Sequence, residues 1–247
     1  MIAESRIGQT ENKLLALLPD EERARLSPFL EFVSLAHGEV IFEPEEPIRQ
    51  VCFPQSGIIS IVAPSESGAS VEVAMVGAEG VTGIAALLGD GIPQNRRAVV
   101  QLDATGMLIR ADVLRREFYR GGRLQELLLR YEQTYLTQVT QSVLCQCFHH
   151  LEERLARWLL ECRLRTNSDE LRLTQEYIAQ MIGVRRAGVS GAVSQLKERG
   201  LIEHTRGTVW LIDQSGLEAA ACECFQVIRS EFVRLFGDAS QPVTAHV

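Results

Sequence analysis

The period of the apolar positions changes twice along the chain. Residues 12–35 read as helical: Leu14, Leu15, Leu17 and Leu18 cluster before Pro19, and "PDEERARLSPFL" sets a proline and acids in a first turn. Between residues 38 and 110 the helical period disappears. Short apolar runs ("EVIFEP", "QVCFPQSG", "IISIVAP", "SVEVAMVG", "RRAVVQL", "GMLIRA") alternate with turn residues, among them Pro44, Pro54, Gly57, Pro64, Gly68 and Gly77. Many short strands at near-regular spacing predict a β-sandwich or barrel.

After Ala111 the helical period returns. Gly121 and Gly122 interrupt it, and a long helix is predicted from Arg123 to His150. Leu124, Leu128, Tyr131, Tyr135 and Gln138 recur at 4-3-4-3 spacing, the seam of a pair of helices. The same stripe also suits packing of this helix on its own barrel; pairing between two chains is the preferred expectation. A further amphipathic helix carries Leu151, Leu155, Trp158, Leu159 and Cys162 on one side. "LIEHTRGTVWLID" predicts a β-hairpin turning at Arg206-Gly207. A last helix is expected from Ser215, stopped by Gly237, with a frayed tail beyond it.

The stretch from Leu173 to Ile202 is the most informative. Thr174 is placed to cap a helix whose Ile178, Ala179 and Ile182 face inward. Gly183 permits a sharp turn, because glycine takes a positive φ without strain. Val184 plugs the turn, and Val189, Ala192, Val193 and Leu196 line the inner face of a second helix. A small residue, a glycine four later and a valine six after that glycine is the spacing of a helix-turn-helix; the hairpin that follows makes it winged. A plain helical hairpin is the alternative. In the DNA-binding version the second helix starts in the major groove, which puts Arg185 and Arg186 at base edges and phosphates.

Charge and composition refine this picture. The net charge of -7 excludes a uniformly basic nucleic-acid coat but not a local basic face. Hydrophobic residues make up 46% and charged residues 23%, the balance of a folded domain. No apolar run is long enough for a membrane span, and "MIAESRIGQTENK" lacks the pattern of a signal peptide. A cytoplasmic protein with reduced cysteines is expected, and no membrane partner. No phosphate loop, G-x-S-x-G or H-E-x-x-H is present, so no catalytic residues are assigned and an enzyme is not expected.

On these residues the chain resembles the Crp/Fnr family of bacterial transcription regulators, and the resemblance runs over nearly its whole length. It implies an α+β fold: a β-roll or jelly-roll sensor domain of the cyclic-nucleotide-binding type over 1–120, and a dimerisation helix over 121–150. A winged helix-turn-helix over 151–213 and a C-terminal helix and tail over 214–247 complete it. It implies a homodimer on double-stranded palindromic DNA, and RNA polymerase as a partner if the protein activates. Arg186 matches the family's base-reading arginine; Thr174 and Gln175 match positions near phosphates. Arg185, Ser190 and Arg206 complete the expected DNA contacts. Two positions depart from the family pattern: Ala187 replaces a glutamate and Gly191 an arginine, which changes the expected target sequence. Gly188 either lets the helix approach DNA closely or is simply tolerated.

The sensor domain departs further. Cyclic-nucleotide-binding members carry Gly-Glu and then Arg-Ser/Thr-Ala. Here Gly83 is followed by Ile84, and Arg96, Arg97 and Ala98 fill the second half. Isoleucine cannot satisfy a buried sugar hydroxyl, so cyclic AMP is not expected. Arg96 and Arg97 form either a site for another anion or an exposed pair on a turn. No cysteine precedes Cys52, which removes the N-terminal thiolates of the family's iron–sulfur sensors. His37 is a lone haem-ligand candidate beside Gly38. No cofactor is assigned.

In "CQCFHH", Cys145 and His149 share one helix face and Cys147 and His150 another. Across a dimer these could hold a metal; two core cysteines and two helix-end histidines are the preferred reading. Cys222 and Cys224, two apart on a helix, should diverge and need partners from elsewhere. The alternatives to an effector-bound DNA regulator are therefore a metal- or thiol-responsive one and a winged helix that binds protein instead of DNA.

Overall fold

A computed structural model describes residues 12–239. The signal-peptide reading of the N-terminus and most of the tail expected to fray concern residues 1–11 and 240–247, outside the described residues.

The chain opens with two short helices, α1 (Lys13–Ala16) and α2 (Asp20–Leu26). Asn12 anchors them. Its Oδ1 accepts from the backbone amides of Leu14 and Leu15, and its Nδ2 donates to the carbonyls of Pro54 and Gly80. The helical expectation over 12–35 fails in its last part, where Glu31–Leu35 forms β1. The reason is tertiary: β1 pairs antiparallel with a distant strand, Glu31 opposite Leu108 and Leu35 opposite Ala104.

The barrel region consists of β1, β2 (Val40–Phe42), β3 (Gln50–Pro64), β4 (Ser70–Val76) and β5 (Arg97–Arg110). Its order is β1-β5-β3-β4, with β2 also on β5. Runs read as separate strands are fused in β3 and β5. Gly57, at φ +74, lets β3 continue through a bulge; a Cβ there would lie 2.3 Å from the Asp103 carbonyl oxygen.

After α3 (Ala111–Tyr119), helix α4 (Arg123–Phe148) lies along the barrel. Here the preferred expectation is corrected. Leu124, Leu128, Tyr131 and Tyr135 are buried in the barrel's own core, and Gln138 is buried as well. Burying each such apolar side chain contributes about 1.5–3 kcal/mol, so this stripe is committed to the fold of one chain. The exposed apolar line on α4 is a different one: Leu129, Leu136 and Val143, at seven-residue spacing.

Helix α5 (Leu151–Thr166) follows a two-residue break. The winged unit adds β6 (Glu170–Leu171), α6 (Gln175–Ile182), α7 (Arg186–Glu198), β7 (Ile202–Thr205) and β8 (Thr208–Leu211), with sheet order β6-β8-β7. Its core is continuous with the barrel: Ile58, Val62 and Met75 of β3 and β4 cluster with Leu155, Trp158, Ile178 and Val189. A buried polar network reinforces the junction. Glu161 on α5 pairs with Arg157 and Arg165 and accepts from Gln138 Nε2, while Arg165 also reaches Glu79 at 2.8 Å.

The single C-terminal helix expected from Ser215 is two: α8 (Gln214–Ala220) and α9 (Cys224–Ala239). No glycine or proline marks the break. Leu217, Cys222, Cys224 and Phe225 are all buried, and a straight helix would not bring them all inward. Gly237 does not stop α9, which continues to Ala239.

Candidate nucleic-acid interface

Helices α6 and α7 are built as the spacing predicts. Thr174 Oγ1 accepts a hydrogen bond from the Tyr177 amide at 3.1 Å, satisfying a free donor at the helix start. Gly183 ends α6 at φ +72. The Val184 amide then donates to the Ala179 carbonyl at 2.9 Å, closing the turn. Ile178, Ala179 and Ile182 pack in one cluster with Val189, Ala192, Val193 and Leu196. With the inner faces so engaged, Arg185 becomes the N-cap of α7 and Arg186 its first helical residue, both exposed.

The residues expected to touch DNA form a connected patch. Ser190 Oγ donates to Gln175 Oε1 at 2.6 Å, linking α7 to α6. Arg186 Nε lies 3.9 Å from Glu176 Oε2, and both side chains are largely exposed. Such a solvated pair is worth at most about 1 kcal/mol, so it holds the guanidinium only weakly. Arg206 occupies the β7–β8 turn at φ +33. Gly207 beside it approaches Thr174, whose Cγ2 would be 3.4 Å from an added Cβ.

The two glycines of α7 differ. A Cβ at Gly188 would meet Leu151 Cδ2 at 3.0 Å, so its close approach is to α5. Nothing lies within 4 Å of a Cβ at Gly191, and the structure gives no reason for glycine there.

In the sensor domain, Gly83 at φ +78 precedes a short 3-10 turn, Ile84–Ala86. The cavity here, lined by Phe42, Gly83, Ile84, Arg96 and Tyr135 among others, has a volume of about 30 Å3. A small-molecule pocket spans about 300–1,000 Å3. Arg96 and Arg97 do not converge. Arg96 faces Tyr135 and Glu132 on α4; burial raises the pKa of both and the arginine opposes that shift. Arg97 is the first residue of β5, in register with Val62, and its charge acts on Tyr177 of α6 instead. His37 Nδ1 lies 2.8 Å from the Gln101 carbonyl and its ring stands edge-on to Tyr177.

The "CQCFHH" segment is divided. Cys147 is exposed, and His150 caps α5 with its backbone amide donating to Glu153. Cys145 and His149 instead meet Cys222 and Cys224. The divergence expected of "CEC" fails because Cys222 lies in the break before α9, where helical geometry does not apply. Sequence reasoning missed this convergence, since nothing in "AAACEC" signals a break. The hydrogen bond between Cys145 and Cys222 draws the Cys145 thiol down to about 5 against the effect of burial, with Arg157 assisting. The same bond pushes Cys222 up, and burial raises Cys224 to about 11.

Comparisons agree with this architecture. Residues 32–119 match the family model of the cyclic nucleotide-binding domain, and residues 153–220 that of the Crp-like helix-turn-helix domain. A CRP-like cAMP-activated global transcriptional regulator of Mycobacterium tuberculosis is 25% identical over 205 residues, covering 80% of this chain and 91% of that protein. Among solved structures, a Crp/Fnr-family regulator from Eubacterium rectale superimposes with a TM-score of 0.68. It is 19% identical and covers 85% of this chain and 99% of its own. FixK2 from Bradyrhizobium japonicum gives a TM-score of 0.67 at 20% identity, covering 78% of this chain and 98% of its own. With a cyclic-nucleotide-binding-type barrel, a long helix and a Crp-like helix-turn-helix in that order, the chain belongs to the Crp/Fnr family of DNA-binding transcription regulators.

Proposed function

We propose that the protein acts as a homodimer that reads a palindromic DNA site with Arg186 at base edges. Arg185, Thr174, Gln175, Ser190 and Arg206 would hold the phosphates around it. The two copies of α7 would then enter successive major grooves about 34 Å apart. The observation that carries this reading is the exposed Arg185-Arg186 pair at the start of α7, joined through Gln175, Ser190 and Thr174 to the wing. The dimer seam is assigned to Leu129, Leu136 and Val143, because the other apolar stripe of α4 is buried in its own barrel. In this scheme 1–120 senses, 121–150 pairs, 151–213 binds DNA and 214–247 is an added C-terminal unit.

The effector is not cyclic AMP. Ile84 stands where a ribose-binding carboxylate is needed, and the cavity of about 30 Å3 has no room for a nucleotide. The M. tuberculosis relative is named for cyclic AMP activation; that property does not transfer onto these residues. The protein works in the cytoplasm, catalyses no reaction, and contacts RNA polymerase where it activates.

The test is equilibrium binding to genomic DNA fragments at increasing salt. A steep fall in affinity with salt is expected, since each neutralised phosphate releases counterions. Salt-independent or absent binding would instead favour a winged helix that binds protein.

A further inference from the structure

Four ligand-bearing side chains from two distant segments converge at the end of the long helix. Cys145 comes from the last turn of α4 and His149 from its C-cap, Cys222 from the α8–α9 break and Cys224 from the first residue of α9. Cys145 Sγ and Cys222 Sγ are 3.5 Å apart, and Cys224 Sγ is 3.6 Å from His149 Nδ1. All four ligand atoms lie within 4.8 Å of one another. A tetrahedral zinc ion, with Zn–S near 2.3 Å and Zn–N near 2.0–2.1 Å, requires ligand atoms about 3.5–3.8 Å apart. Two of the six edges already have that spacing, and the other four lie within about 1 Å of it.

Two surrounding groups fit the same purpose. The outer ring nitrogen of His149, Nε2, lies 3.2 Å from Glu223 Oε1. A carboxylate in that position keeps the proton on Nε2 and turns the bare Nδ1 toward the thiols, the usual support of a metal-bound histidine. Three thiolates and a divalent cation would leave one negative charge. The guanidinium of Arg157, nearly buried against Glu161 and within electrostatic reach of Cys145 and Cys222, offsets it in part.

We propose that Cys145, His149, Cys222 and Cys224 bind one zinc-class divalent ion, which clamps the C-terminal unit onto the hinge between sensor and winged helix. Three cysteines and a histidine close the coordination sphere, as in structural zinc sites, and leave no open position for substrate. The hinge is the two residues His149 and His150 between α4 and α5, so one ligand lies in the hinge itself. Because α8 packs on α5 and α9 on α4, the ion bridges both sides of that hinge. It favours whichever hinge arrangement assembles all four ligands, and acts only through that difference in affinity. This deepens the regulator reading by naming an effector class; the binding site itself does not depend on that reading.

The test is a cobalt(II) titration of the full-length, reduced, metal-stripped protein, followed by zinc(II). One cobalt per chain is expected, with the intense visible bands of tetrahedral coordination and thiolate-to-cobalt charge transfer, both erased by one equivalent of zinc. Cys222→Ser and Cys224→Ser should lose the spectrum, Glu223→Gln should weaken binding about 10–100-fold, and Cys147→Ser should change nothing. Circular dichroism of each variant separates lost ligation from lost folding, and the exposed Glu223 supplies a variant that leaves the core intact. An octahedral spectrum, no cobalt uptake, or full affinity in a folded Cys222→Ser protein would overturn the site. Salt-dependent DNA binding measured on the same protein reports separately on the regulator reading: DNA binding without the cobalt spectrum would sink only the metal site.

Discussion

Trp158 Nε1 on α5 donates a hydrogen bond to Glu72 Oε1 on β4 at 2.7 Å, joining the winged unit to the barrel. The other carboxylate oxygen faces Ser60 Oγ, which also lies 2.6 Å from Gln101 Oε1. Ser60 and Trp158 both donate to this carboxylate, and each bond favours its charged form. Burial nevertheless pushes the Glu72 carboxyl up to about 7, against the bonds from Ser60 and Trp158.

A pH dependence of the junction follows. The folded pKa of Glu72 lies above its ordinary value of 4.5, so the folded state holds this proton more tightly. The associated stability is full below about pH 4.5 and is lost as pH rises through about 7. Thermal unfolding of wild type and Glu72→Gln across this range checks it. The gap between them should open toward high pH in favour of the variant; a constant gap would refute the assignment.

Gly183 tests the docking of α6 on the barrel. An alanine there takes a left-handed φ at a cost of about 1–2 kcal/mol, and its Cβ would lie 2.9 Å from Val71 Cγ2. Gly183→Ala should lower stability by at least that amount in chemical denaturation. Adding Val71→Ala should recover the contact part of the loss and leave the backbone part.

Arg186→Ala is expected to leave the fold and dimer unchanged and to remove sequence preference at the base it reads. A good arginine–guanine pair gives about 1–3 kcal/mol of discrimination. In vitro selection of DNA sites with both proteins measures this; an unchanged consensus would reassign the reading role to another residue.

Leu136→Glu places a charge in the centre of the exposed Leu129–Leu136–Val143 line. Sedimentation should show a monomer with native circular dichroism, and affinity for a palindrome should fall to that for a half-site. The reverse control is Tyr131→Ala, buried in the barrel, which should destabilise each chain, about 3–5 kcal/mol for a large aromatic.

The helix-turn-helix was legible because its determinants are local. A cap at Thr174, a turn glycine at Gly183 and a 3.6-residue apolar period each act within about ten residues, so their order in the chain is their order in space. The β-rich character of 38–110 was legible for the same reason, through alternation and turn residues. Cys145 and His149 also met as their spacing on one helix face requires.

What stayed hidden depends on partners distant in sequence. Glu31–Leu35 is a strand only because β5 lies beside it. The stripe of Leu124, Leu128, Tyr131 and Tyr135 has one period whether a neighbouring chain or the chain's own barrel buries it, and the barrel is nearer. Cys222 and Cys224 converge on Cys145 because an unmarked break turns the chain there, driven by burial and not by a turn residue. The sequence by itself determined the helix-turn-helix elements and the place of Arg185 and Arg186 at the start of α7, since period, capping and turn chemistry act over one or two turns of chain. Only the tertiary structure decided which face of α4 remains free and which cysteines meet, because burial is set by what packs nearby, and a one-dimensional pattern does not specify its neighbour.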